Sequence, residues 1–183
     1  IGELIMLATN LQPFLMGIAV SVLVGIALTL PISSAAICAA FGLTGLAGGA
    51  AVAGCCAQMV GFAVMSFKEN RWGGLVSQGI GTSMLQMGNI IKNPRIWIAP
   101  IVTSAITGPM ATCLFKLQMN GTPVSSGMGT CGFVGQIGVY SGWVNDIANG
   151  TKAAITGFDW TGMILISFIL PAVICPLINM LLK

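Results

Sequence analysis

Residues 4–67 read LIMLATNLQPFLMGIAVSVLVGIALTLPISSAAICAAFGLTGLAGGAAVAGCCAQMVGFAVMSF, bounded by Glu3 and Lys68. All 64 positions are uncharged. A soluble domain cannot leave so long a stretch without ions, because its surface must be wetted. A bilayer core about 30 Å thick takes about 20 apolar residues per helical pass. The run therefore holds either two passes and a segment that does not cross, or three tight passes.

Within it, residues 13–30 form a first span, stopped by Pro31. Residues 31–41 (PISSAAICAAF) are apolar but short, which suits a re-entrant segment better than a pass. Residues 42–67 can cross, and their Gly45, Gly48, Gly49 and Gly54 offer a small-residue face to a neighbouring helix. This reading puts Pro31 on the outer face. The alternative, two tight passes turning at residues 45–54, puts it inside.

The whole chain agrees with a membrane class: 183 residues, mean hydropathy +0.96 and 6% charged residues. Eleven charges cannot solvate a sizeable extramembrane domain. The net charge of +3 has no basic cluster behind it, so nucleic acid is excluded as a partner. The six cysteines form no C-x-x-C pair and the chain has no histidine, so no metal site, cofactor site or Cys-His or Ser-His-Asp arrangement is expected. The four carboxylates are scattered, and no enzyme activity is expected. The chain begins with Ile1 and shows no signal-peptide pattern, which suggests a piece of a longer or processed protein.

Residues 68–95 carry five charges, four of them basic, and so read as cytoplasmic. Trp72, Leu75, Val76, Ile80, Met84, Met87 and Ile91 recur at helical spacing opposite Ser77, Gln78, Thr82, Gln86 and Asn89, the pattern of an amphipathic helix. Residues 96–119 form a span broken by Pro100 and Pro109. Thr103, Thr107 and Thr112 on it either line a path or bond to their own backbone. Residues 120–156 are glycine-rich, and residues 160–182 form the last span, with Lys183 back on the basic side.

Two places share a pattern. Pro31-Ile-Ser33-Ser34 is followed by Cys38 and Phe41, and Pro123-Val-Ser125-Ser126 by Cys131 and Phe133. Paired, broken segments of this kind point to a substrate site. They also suggest an internal repeat, 13–67 and 96–182, joined by segment 68–95 within one membrane domain. Ser33, Ser34, Ser125, Ser126 and Gln136 are the candidate solute-binding residues, with Glu69 at the inner mouth. Glu69 between Lys68 and Arg71 is equally readable as an interfacial ion pair, and Asp146 as a turn residue.

The stretch KNPRIWIAPIVTSAITGPMATCLFKLQMNGTPVSSGMGTCGFVGQIG (residues 92–138) resembles the membrane family of phosphotransferase-system EIIC-like proteins that includes the perfringolysin O regulator. The chain is similar to the C-terminal portion of that family. The resemblance implies a bacterial inner-membrane protein, either a sugar permease component or a regulator of toxin expression. Well-studied sugar EIIC proteins use a histidine and a glutamate near the sugar, and this chain has no histidine.

The expected fold is therefore all-α and polytopic, with about four transmembrane helices, two glycine/proline-broken re-entrant segments and one amphipathic cytoplasmic helix. The expected function is a pathway or binding site for a small polar solute, a sugar. The rival is a membrane-embedded sensor that binds without transport. The expected partners are the lipid bilayer, the solute and a second copy of the chain in a homodimer.

Overall fold

The computed structural model describes residues 12–182. Lys183, read above as a topological anchor, lies outside them. Among the described residues the regular structure is all helical. Helices α1 (Pro13–Thr29), α2 (Ser34–Ala40) and α3 (Gly45–Met65) fill the uncharged run. Among the described residues three helices are long and apolar enough to cross a membrane. They are α3, the helix formed by α6 (Arg95–Pro109) and the wider turn Met110–Leu114, and the helix Gly157–Leu181. The last consists of α9 (Gly157–Ile164), a wide turn Leu165–Ile169 and α10 (Leu170–Leu181). That wide turn stands just before Pro171, which has no N–H to continue the regular ladder.

Close backbone approach sets the helix directions. Ser21 of α1 lies against Gly54 of α3, and Thr29 reaches Gln58, so α1 and α3 run the same way. Gly17 faces Pro109 and Thr112, and the Ser21 hydroxyl donates to the Ser104 carbonyl at 2.8 Å, so α6 runs the opposite way. Gly61 touches Cys175, while Cys56 shares a core cluster with Met163 and Ile166, which aligns α9 and α10 with α3. A Cβ at Gly54 would overlap the Ser21 carbonyl, and one at Gly108 the Gly17 carbonyl. The glycines thus let backbones touch where no hydrophobic effect could draw apolar helices together in lipid.

Because α1 and α3 are parallel, the chain must return between them. Pro31 makes the turn and α2 with residues 41–44 climbs back, 17 residues of α1 descending about 25 Å. Pro31 and Ser33 consequently sit beside Thr82 and Met84, in the segment between α3 and α6. Pro31 thus lies beside segment 68–95 and not opposite it, while the turn into α3 falls at residues 41–44 and the 45–54 stretch is helical. Seven helical residues make only part of the return leg, and residues 41–44 complete it.

A second hairpin answers the first. After α6 the chain runs extended, and Met119 pairs with Gly45 through two 3.0 Å backbone bonds. The strand-like stretch is clasped between glycines, Gly49 against the Leu117 carbonyl and Gly142 against Asn120. Such non-helical backbone is tolerated at membrane depth only when buried in protein. The short helix α7 (Pro123–Ser126) leads to Gly129, whose φ of +54° and contact with Cys55 admit no side chain. From there α8 (Val134–Ala148) climbs back beside Asn120, whose amide donates to Asp146 near the end of α8.

Segment 68–95 is not one helix. It divides into α4 (Phe67–Val76), kinked at Arg71 (φ 51°), a wide turn Ser77–Gly81, a tight turn Ser83–Gln86 and α5 (Met87–Lys92). Its glycines forfeit helix propensity and the polar side packs inward. Gln78, Ser83 and Gln86 are buried, while Trp72, Val76, Met84 and Ile91 are exposed.

Candidate functional site

Two cavities flank the segment 68–95. The larger, about 540 Å³, opens at the end of the bundle where α3 meets α4. Glu69, Asn70, Gln86, Asn89, Lys92, Asn93 and Asn179 supply its polar lining, and Phe62 and Ile96 its apolar wall. Each polar group has a local structural reason. Ser66 ends α3 and turns the chain, which carries Glu69 and Asn70 over the rim. The Asn89 amide donates to Gln86 at 2.8 Å, which holds both against α3. Asn93 caps the turn into α6, its side chain accepting from the Arg95 N–H at 3.3 Å.

The second cavity, about 340 Å³, lies at the tips of the two hairpins. Leu30, Ser33 and Ser34 come from the first, Met128 and Cys131 from the second, and Thr82 and Met84 close it. Here the two Pro-x-Ser-Ser segments meet. The Ser34 hydroxyl donates to the Gly127 carbonyl at 2.7 Å, and Gly127 leaves no room for a Cβ against Ser34. The Ser33 hydroxyl caps α2 by accepting from Ala36 N–H at 3.2 Å and remains exposed.

The remaining candidates are placed elsewhere. Ser125 and Ser126 are buried: Ser125 pairs with Thr122 at 2.9 Å and Ser126 donates to the Pro123 carbonyl at 2.6 Å. The Gln136 amide donates to Cys56 Sγ at 3.3 Å, and its Oε1 has no partner among the described residues. None of these three lines either cavity, and Glu69 lines the cleft away from Ser33 and Ser34. Thr103 and Thr107 bond to carbonyls one turn back, at 2.8 and 3.0 Å, and so satisfy themselves within α6.

At the opposite end a third cavity of about 390 Å³ contains Asp146, Lys116, Lys152, Asp159 and one edge of Trp143. Asp146 accepts from Asn120 at 2.8 Å. Asp159 caps α9 together with Thr156 and pairs with Lys152 at 2.8 Å. Lys152 also lies 5.2 Å from the Trp143 ring centre. Lys152 and Asp159 thus neutralise each other, and Asp146 is engaged by an amide. Among the described residues no group of three potential metal-ligating side chains occurs.

Sequence reasoning passed over the amide ring of the inner cleft and the buried Gln58. The ring was unreadable because its members come from four separate elements. Gln58 did have a signal: it is the sole amide or charged side chain between Pro13 and Lys68.

An all-helical bundle with three apolar helices of spanning length and a polar cleft at one end defines a membrane protein. The family model described as "Phosphotransferase system, EIIC" matches residues 1–183, and the chain belongs to that family. Comparison with curated proteins and with solved structures returned no match.

Proposed function

We propose that the chain is a multi-pass component of a bacterial inner membrane that binds a small polyhydroxylated solute, a sugar, and lets it pass. The inner cleft carries the proposal. Amides from Asn70, Gln86, Asn89, Asn93 and Asn179 surround it with one carboxylate, Glu69. An amide offers a donor pair and an acceptor side by side, which suits vicinal hydroxyls, and a carboxylate accepts from two. Phe62 and Ile96 provide the apolar wall that a sugar ring's C–H face needs. Family membership supports the transport setting.

In this reading α1 and α2 form one re-entrant hairpin and residues 119–148 the other, both entering from the face opposite Glu69. Ser33 and Ser34 would face the solute in the tip cavity, and Glu69 would receive it at the cytoplasmic mouth. Ser125, Ser126 and Gln136 would act behind that wall by fixing the second hairpin. No covalent step occurs in this chain, and the exposed apolar residues Trp72, Val76 and Ile91 meet lipid or a second copy.

Protein reconstituted in liposomes should bind and take up labelled D-glucose or D-mannitol. Glu69→Gln should lower affinity about tenfold, the order expected for losing hydrogen bonds to a charged acceptor. Binding without uptake would favour a sensor. Unchanged affinity in Glu69→Gln would remove the cleft from the reading.

A further inference from the structure

Gln58 is fully buried near the middle of the bundle. Its Oε1 accepts from the Trp97 indole at 3.1 Å and from Thr29 at 3.2 Å. An indole N–H can only donate, so the orientation of the amide is fixed. Nε2 is then left with no hydrogen-bond partner among the described residues. Two unmet donors inside an apolar bundle are costly, and native interiors rarely leave such groups unanswered. Beside them the Thr29 hydroxyl lies 3.0 Å from that of Ser83.

The position of this quartet is as informative as its chemistry. Leu28 and Leu30 on either side of Thr29, and Thr82 and Met84 on either side of Ser83, line the hairpin-tip cavity. Phe62 one turn beyond Gln58, Gln86 one short turn beyond Ser83, and Ile96 next to Trp97 line the inner cleft. Gln58, Thr29, Ser83 and Trp97 thus lie among residues whose chain neighbours line the two cavities.

We propose that these four side chains form the wall between the two cavities and the constriction of the pathway, at which Gln58 Nε2 donates to hydroxyl oxygens of a neutral polyol. The inference rests on the transport reading of the cleft and goes beyond it by naming the gate and its selectivity. The donors left open call for an oxygen lone pair. No charged side chain belongs to the wall, so neither an ammonium nor a phosphate is matched. Thr29 and Ser83 each donate and accept, and can exchange their mutual bond for one to the solute.

Two variants separate the gate from the fold. Gln58→Glu retains an acceptor for Trp97 and removes the amide donors; Gln58→Met keeps volume and removes all polarity. Both are compared with wild type, using labelled D-glucose and D-mannitol, for binding in detergent and uptake in liposomes. Melting and size-exclusion profiles report folding. Uptake should fall at least tenfold in both variants while binding at the cleft falls less than threefold. Trp97 supplies a readout that leaves Gln58 intact: solute should change wild-type tryptophan emission, and Trp97→Phe should abolish that change. Variants that take up solute like wild type, or an emission change that persists in Trp97→Phe, would overturn the gate and leave the cleft standing. A wild type that neither binds nor carries the probes would overturn the transport reading, and the gate with it.

Discussion

The two Pro-x-Ser-Ser segments have nearly the same residues and opposite fates. In the first, a 17-residue helix delivers Pro31 to a cavity, Ser33 stays exposed and only Ser34 is buried. In the second, an extended stretch feeds Pro123 into a cleft between α3 and α8, and both serines are buried with their hydroxyls taken by neighbours. What differs is what precedes and what surrounds. The motif reports a chain reversal, and the packing around it decides whether its hydroxyls are free for a ligand.

Glycine at positive φ gives the sharpest test of that contrast. Gly42 (φ +60°) ends the first hairpin's return leg with open space around its missing side chain. Gly129 (φ +54°) turns the second hairpin with backbone atoms of Cys55 and Cys56 at 2.9 Å from where a Cβ would stand. Gly42→Ala should cost only the left-handed backbone penalty, about 1–2 kcal/mol. Gly129→Ala adds an overlap with backbone that cannot swing aside, for a total of about 3–5 kcal/mol. Thermal melts in detergent should rank them so; equal shifts would mean that the second hairpin is as loose as the first.

The class of this molecule was legible in the uncharged run, and so were the glycine faces and the two broken segments, because these depend on composition and local sequence. The direction of α2 was not. Whether seven apolar residues turn back or cross depends on Gly54 fitting Ser21, a contact 33 positions away. Segment 68–95 misled for a related reason. Helical spacing of Trp72, Val76 and Ile80 suggests one amphipathic helix lying on the membrane or against the bundle, yet the chain breaks into several short pieces, with Gln78, Ser83 and Gln86 inward where Ser66 and Thr29 partner Gln78 and Ser83. In lipid the apolar face looks outward, so a soluble protein's inside-out logic reverses. Glu69 was recognisable by its charge; the amides around it needed the fold to gather them.

Ser34 and Ser126 provide the next contrast. Ser34 spans 93 positions to the Gly127 carbonyl at 2.7 Å and ties the hairpins together. Ser34→Ala leaves that buried carbonyl short of a donor and should cost about 1–2 kcal/mol. Ser126 bonds three residues back to Pro123, within its own turn. Ser126→Ala should cost about 0.5–1 kcal/mol, the net worth of a local bond. A larger loss for Ser126 would show that the second hairpin's own turn carries the junction instead.

Ser33→Ala should have the smallest effect on stability, because the hydroxyl is exposed and caps a helix of only seven residues. An N-cap of this kind is worth about 0.5–1 kcal/mol, with water able to replace part of it. On solute binding the order reverses. If the tip cavity holds solute, Ser33→Ala should weaken D-glucose or D-mannitol binding several-fold while Ser126→Ala leaves it within twofold of wild type. The two variants thus cross: the more stable one binds worse. A motif whose two copies were both ligands would give parallel losses, and one whose copies were both structural would give none. Titrating the two variants side by side at matched folded fraction decides between these patterns, and only the crossed result fits a cavity lined by one copy and walled by the other.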